Sequence, residues 1–522
     1  MSQHLLKRVL KYSVLGSGIG GSTFYLWKND WELTSIGVVR FGRAAYVAMR
    51  IAVDYKLSLR NQDRSSPAYH ELLSQIHLRS ALRLRDMVCK NGGVFIKVGQ
   101  HVGTLDYLLP EEYVSSMKIL HNQAPQSKLA DLQRVVEEDL GNTIGELFID
   151  FDSEPIGAAS LAQVHKATLK DGQVVAVKIQ HPKVRARSYV DIKTMELLVR
   201  GLAVMFPGFQ YLWLAEETRK NLPLELDFLK EGANCETVAK QYKHFSFLKV
   251  PKILWNLSSE RVLTMEYFEG GKVDDREYME SHGISVNEVS RKLGKLYSEM
   301  IFVQGYVHCD PHPGNVLVRN TKAGVDIILL DHGLYQSLTD DFRLHYCKMW
   351  MAMINADVEG IKEHATALNA GDFYGLFACM LAARSWSSIT SGMRNRKVTE
   401  EETDEIKANA AEFLVQISDL LNRIPRQLLL ILKTNDVLRG IETSLQTRAN
   451  ATSFINMSRC CVRAVAADRL KNCQSYLETF KVKLGCQWQL CKLGLYKVFL
   501  WLQSSFLGSH MFNIRNALLL GR

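Results

Sequence analysis

The run His308-Cys309-Asp310-Pro311-His312-Pro313-Gly314-Asn315 sets an aspartate and an asparagine five residues apart, and a second aspartate, Asp331, follows the asparagine by sixteen. Asp331 comes at the end of the apolar run Asp326-Ile327-Ile328-Leu329-Leu330 and precedes His332-Gly333. This is how a catalytic loop and a metal-binding loop are laid out for phosphoryl transfer. So short a pattern can arise by chance, and the order of further elements decides. Upstream, Val175-Ala176-Val177-Lys178 supplies an apolar strand ending in a lysine, in the correct order relative to the loop. The chain reads as a phosphotransferase.

Phosphoryl transfer asks for metal ions, positive charge on the phosphates and a positioned nucleophile. Asp331, and Asn315 through its amide oxygen, are hard oxygen donors suited to Mg2+ on the phosphates of ATP. Asp310 would accept a proton from, or orient, the attacking hydroxyl. Lys178 would grip the phosphates, provided an acid holds its flexible side chain. The segment Leu224-Glu225-Leu226-Asp227-Phe228-Leu229-Lys230-Glu231 offers that acid. On a continuous helix Asp227 and Glu231 share a face, with Glu225 turned away by roughly 200°. A solvated helix face is the plain alternative for these acids. The kinase context favours Glu231 as the partner of Lys178.

An ordinary protein kinase would place a glycine loop before the lysine strand, and here that segment is Pro155-Ile156-Gly157-Ala158-Ala159-Ser160-Leu161. Methyl groups limit positive φ and close backbone approach to phosphates, so Ala158, Ala159 and Ser160 should hold nucleotide differently. Cys309 stands where an arginine would receive activation-loop phosphate, and no proline occurs between Pro313 and Pro425 to mark a peptide platform. Protein phosphorylation is the less favoured chemistry. A formal glycine-loop match, Gly16-Ser17-Gly18-Ile19-Gly20-Gly21, lacks the strand, turn and helix of a nucleotide site.

The ordered set Lys97-Val98-Gly99-Gln100, Gly157 to Ser160, Val175 to Lys178, Glu225-Leu226-Asp227, His308 to Asn315 and Asp331 resembles the UbiB and aarF-domain-containing atypical kinases over about residues 80 to 445. The resemblance implies an α+β fold, two-lobed and protein-kinase-like, with an added N-terminal helical lid and a mostly helical C-lobe. It implies that Lys97, Gln100, Glu225 and Asp227 line the pocket where peptides would otherwise dock, and that Glu231 pairs with Lys178. It implies ATP as ligand and a role in quinone or mitochondrial lipid homeostasis. Two residues depart from the family pattern: Gly157 opens a loop that is usually all alanine, and His332 replaces the customary phenylalanine after Asp331. A histidine there can titrate near neutral pH, or be hydrogen-bonded in the core.

At 522 residues and 47% apolar composition the chain can bury a large core. We divide it into a targeting and membrane-proximal segment at 1–30, a helical extension carrying the Lys-x-Gly-Gln motif at 31–150, a kinase-like N-lobe with insertion at 151–270, a C-lobe at 271–450 and a helical extension at 451–522. Ala158 to Gln180 reads as a hairpin about Asp171-Gly172, and 181–224 as inserted helix. Leu263 to Gly270 reads as a strand running into a hinge where the backbone at Glu266 and Phe268 would meet adenine. After Asp331 the region looks helical, interrupted by a polar linker near 394–403. Ten scattered cysteines lack the paired spacing of a zinc site and read as mostly buried thiols.

Lys7, Arg8 and Lys11 stand among leucines and valine, with no acid before Asp30, the pattern of a mitochondrial targeting helix. Residues 12–27 carry no charge and would rise about 24 Å as a helix, a marginal span. Near the other end, Leu493 to Leu502, continuing to Phe506 and Leu507, suits an interfacial helix or a terminal helix packed on the domain. A net charge of +9 suits an anionic lipid surface, and the absence of a basic stripe interleaved with aromatics argues against nucleic acid. The expected setting is the mitochondrial inner membrane, with its lipids and inner-membrane proteins as partners. The favoured function is an ATP- and Mg2+-dependent kinase or ATPase with a small-molecule or lipid acceptor, serving lipid or quinone homeostasis and cristae maintenance. The alternative is a nucleotide-gated scaffold without turnover, and a conventional protein kinase ranks third.

Overall fold

The computed structural model describes residues 37–63, 66–103, 109–121, 126–206, 212–391, 414–447 and 450–504. The expected targeting segment, the uncharged stretch 12–27, the formal glycine match at 16–21, the linker near 394–403 and Phe506-Leu507 lie outside them. In chain order the strands are β1 (Phe148–Phe151), β2 (Gly157–Ala158), β3 (Ala162–Leu169), β4 (Val174–Gln180), β5 (Leu248–Lys249), β6 (Val262–Glu266), β7 (Gly271–Lys272), β8 (Tyr306–His308), β9 (Val316–Thr321), β10 (Gly324–Leu329) and β11 (Tyr335–Ser337). The chain divides into two compact units, one of residues 1–228 and 254–265, the other of 229–253 and 266–522.

In the first unit the longer helices are α1 (Gly37–Ser58), α2 (Pro67–Asn91), α3 (Val94–Val102), α4 (Glu111–Lys118), α5 (Leu129–Leu140), α6 (Val184–Met205) and α7 (Leu212–Glu225). Its sheet runs β1-β3-β4-β6, with β2 paired to β3. The expected hairpin is present: β3 and β4 are antiparallel about Gly172, whose φ of 85° suits a residue without Cβ. Strand alternation sends Val175, Val177 and Ile179 into a core with Leu132, Val135 and Val136 of α5. Ala176 and Lys178 therefore point from the opposite face of β4.

The lid helices have their own core of Ala44, Met87, Val88, Phe95, Ile96, Met117 and Leu120. Gly99 is required there by packing. A Cβ at that position would lie 2.5 Å from Leu120 Cδ1 and 3.1 Å from Val88 Cγ1. A buried bidentate pair ties α1 to the inserted helix α6: Arg40 Nε meets Asp191 Oδ1 at 2.9 Å and Nη2 meets Oδ2 at 2.6 Å.

The segment 224–231 differs from expectation. It is not one helix: α7 ends at Glu225, and α8 (Phe228–Gln241) starts anew. The reason is tertiary. The Leu226 carbonyl accepts the Gln180 side-chain amide at 3.2 Å, and the Phe228 N–H donates to Glu260 O at 3.1 Å rather than to a helical carbonyl. Asp227 and Glu231 therefore do not share a face of one continuous helix.

In the second unit one sheet runs β5-β10-β9-β7 and a second pairs β8 with β11. The unit also holds α8, α9 (Val286–Ser298), α10 (Asp340–Asn355), α11 (Arg426–Ser444), α12 (Asn450–Lys471) and α13 (Tyr476–Ser504). Beyond Asp331 the described chain is helical as expected, except for β11, whose partner β8 lies across the catalytic loop in sequence and so left no local signal. All ten cysteines are free thiols; five are buried, three are half-buried, and Cys89 and Cys491 are exposed on helix faces, so fewer are buried than the sequence suggested.

Candidate functional site

In the first unit, Lys178 stands opposite Val164 in the β3–β4 ladder and is buried, with its Nζ 5.2 Å from the centroid of the Phe228 ring. The alanine loop is a tight turn closed by Ala159 N–H donating to Ala162 O at 2.8 Å. Ala158 lies in β2 opposite Gln163. Gly157 lies in β2 with open space about it, so neither backbone nor packing demands a glycine there.

Ser160 is not exposed on the turn. Its hydroxyl donates to Gln100 Oε1 at 3.2 Å, and Gln100 Nε2 donates to Leu120 O at 3.0 Å, so the turn is fastened to the lid. Lys97, one helical turn before Gln100 on α3, places Nζ 2.7 Å from Glu225 Oε2. Two motifs that the sequence keeps far apart thus meet as one ion pair. Asp227 sits in the break between α7 and α8.

His181 also holds this turn, and sequence reading overlooked it. Its Nε2 bonds Ala159 O at 2.9 Å and its Nδ1 bonds Ser127 Oγ at 2.8 Å. Burial pushes the imidazole pKa down, partly opposed by the Ala159 carbonyl.

In the second unit the catalytic and metal loops are laced together. Asn315 Nδ2 donates to Asp310 O at 3.1 Å, and Leu330 N–H donates to Asn315 O at 3.0 Å. With its NH2 bonded to the loop, Asn315 offers its amide oxygen to a cation. Asp331 Oδ1 accepts from Gly333 N–H at 2.9 Å, and its carbonyl accepts from His308 Nε2 at 2.9 Å. His308 is in turn bonded to Tyr297 Oη at 2.7 Å, and burial pushes its pKa down.

Glu231, 2% exposed, accepts from His332 N–H at 3.4 Å. His332 takes the structural role of the two the sequence allowed. Its ring is 1% exposed, bonds Tyr335 Oη at 2.8 Å and Leu329 O at 3.1 Å, and stacks on Tyr335 at an interplanar angle of 3°. Tyr335 comes from β11, the strand sequence reading did not anticipate.

Lys433 is the second residue that sequence reading overlooked. It projects from α11, with Nζ 3.2 Å from Asp310 Oδ1. Its signal was a lysine directly after the apolar run Leu428-Leu429-Leu430-Ile431-Leu432, where a buried charge demands a partner. Glu266 N–H donates to Lys252 O at 2.9 Å, so it is not available to the adenine that the sequence reading expected there. The side chains of Glu266 and Phe268 line a cavity of about 420 Å³ with Tyr242, Lys249 and Arg319, the last at 5.3 Å over the Phe268 ring.

Among the described residues no group of three or more His, Cys, Asp or Glu gathers to hold a metal ion. Asn315 and Asp331 are a pair of oxygen donors. That fits Mg2+, which takes one or two protein oxygens and completes its octahedron from phosphates and water.

Comparison with known proteins places the chain in a family. Residues 119–365 match the ABC1 atypical kinase-like domain. The chain is 54% identical over 508 residues to AarF domain-containing protein kinase 1 of Gallus gallus, covering 97% of this chain and 98% of the relative. It is 53% identical over 485 residues to the Mus musculus protein of that name, covering 92% of each. Among solved structures, the complex of Rv3197 with erythromycin from Mycobacterium tuberculosis aligns with 72% of this chain and 94% of its own, at 23% identity and a TM-score of 0.44. The chain belongs to the ABC1/AarF family of atypical kinases, with their α+β kinase-like fold and a mostly helical C-terminal region.

Proposed function

We propose that this protein is an ATP- and Mg2+-dependent phosphotransferase or ATPase with a small-molecule or lipid acceptor, acting at the mitochondrial inner membrane in lipid or quinone homeostasis and cristae maintenance. The observation that carries the chemical part is the lacing of the two loops of the second unit. Asn315 is bonded through its NH2 to the Asp310 carbonyl and through its own carbonyl to Leu330 N–H, next to Asp331, so its amide oxygen and the Asp331 carboxylate would serve as metal donors. Bound Mg2+ would neutralise phosphate charge. Lys178 would hold the phosphates, and Asp310 would orient the acceptor hydroxyl and take its proton. The mitochondrial part is supported by the basic, acid-free N-terminus.

One observation favours the scaffold reading: Asp310, the proposed base, is already engaged by Lys433, whose Nζ lies 3.2 Å from its Oδ1. Mg-dependent ATP hydrolysis on cardiolipin-containing vesicles separates the two. Turnover by the native protein that disappears in Asp331→Asn supports the enzyme. No turnover by either, with Mg-dependent nucleotide binding intact, makes the scaffold the better account.

A further inference from the structure

We infer that α13 lies along an anionic lipid bilayer surface through the face it turns to solvent. This rests on the membrane setting proposed above and assigns the surface that makes the contact. The helix is apolar on two opposite sides. Thr479, Val482, Cys486, Leu490 and Leu493 form a half-buried face, and α13 packs on α12. The other side carries Leu477, Phe480, Leu484, Trp488, Leu495 and Val498, exposed by 52% to 72%. At about 100° per residue these positions fall within an arc of about 80°, and from Leu477 to Val498 the stripe runs about 32 Å. A helix that presents apolar stripes on opposite sides is built to be covered twice. The domain covers one side only.

Charge chooses the second cover. Lys481 and Lys492 border one edge of the stripe and Lys483 the other, and Lys492 Nζ lies 5.5 Å from the centroid of the exposed Trp488 ring. Between Glu478 and Arg522 no acidic residue occurs, while Lys481, Lys483, Lys492, Lys497, Arg515 and Arg522 do. A second copy docked on this stripe would set lysine against lysine with hardly a carboxylate to meet them, which disfavours self-pairing. An anionic headgroup layer meets the same lysines with opposite charge, takes the leucines and phenylalanine into the acyl boundary, and suits a tryptophan at the interface. The contact is tangential: among the described residues no helix is long and apolar enough to cross a membrane.

The test is co-sedimentation of the purified full chain with phosphatidylcholine vesicles, with and without cardiolipin. The native protein is expected to pellet with the cardiolipin vesicles, and Leu484→Glu to lower that partitioning by about tenfold or more. Lys481→Gln with Lys492→Gln should lower it by about fivefold per lysine, and Gln489→Glu, away from the stripe, should leave it unchanged. Native binding undiminished in both the Leu484→Glu and the double lysine variants would overturn the assignment of this face while leaving the membrane setting intact. No binding of the native protein to any vesicle would overturn both. A native dimer in sedimentation velocity that Leu484→Glu converts to monomer would replace the bilayer by a second copy.

Discussion

Lys433 Nζ lies 3.2 Å from Asp310 Oδ1, with both side chains largely buried, so the aspartate proposed to orient the acceptor is held by a cation from a helix 123 residues downstream. The pair fixes where the carboxylate points. Lys433→Met should reduce kcat for Mg-dependent ATP turnover by about tenfold, equivalent to ~1.4 kcal/mol, with nucleotide affinity nearly unchanged. Lys433→Arg should recover most of the rate. Equal kcat in all three proteins would show that the pair does not position Asp310.

Gly99 belongs to the Lys-x-Gly-Gln motif, and the structure gives it a packing role. A methyl there meets Leu120 Cδ1 at 2.5 Å inside the lid core. Gly99→Ala should cost about 1–3 kcal/mol of stability through overpacking, read as a lowered Tm. The neighbouring Gln100–Ser160 bond should weaken with it, so nucleotide affinity should fall too. A Tm equal to that of the native protein would refute the packing argument.

The Arg40–Asp191 pair is buried on both sides. Removing one partner leaves a charge without compensation, so Arg40→Met should cost about 3–5 kcal/mol. The double variant Arg40→Met, Asp191→Leu should recover much of that loss. Denaturant midpoints of the three proteins measure the difference, and an Arg40→Met midpoint matching the native one would count against this pair.

His181 sets a pH dependence. Burial depresses its pKa in the folded chain below the ordinary histidine value of about 6.5. The unfolded chain therefore binds the proton first as pH falls. Its stabilising contribution is complete above the unfolded pKa and is lost as pH falls through the folded one. Tm measured from pH 8 downwards should drop more steeply in the native protein than in His181→Gln, whose amide can still donate to the Ala159 carbonyl. Parallel profiles would remove His181 from the account.

Much of the fold was legible because its signals are local. Alternating apolar residues with a turn at Asp171-Gly172 specify β3 and β4, and the period of two sends Lys178 to the face opposite Val177. The family was legible for a similar reason: Asp310 and Asn315 lie in one short loop between β8 and β9, and Asp331 follows the β9–β10 hairpin directly, so all three stand close together in sequence. Periodicity failed at Leu226-Asp227, where the helical pattern continues but the helix does not. The Phe228 N–H is claimed by a carbonyl at Glu260, and no window of neighbouring residues contains that competitor.

The sequence by itself determined which groups are on offer: a lysine on an apolar strand, an asparagine and two aspartates at kinase-like spacing, and a segment with no acid after Glu478. Tertiary structure alone decided how those groups are held. Ser160 is bound by Gln100, Lys97 by Glu225, Asp310 by Lys433, and His332 becomes a core residue because β11 brings Tyr335 against it. Spacing encodes what a residue can do through its own backbone. The partner that orients a side chain comes from wherever the folded chain passes, and that distance leaves no period in the sequence.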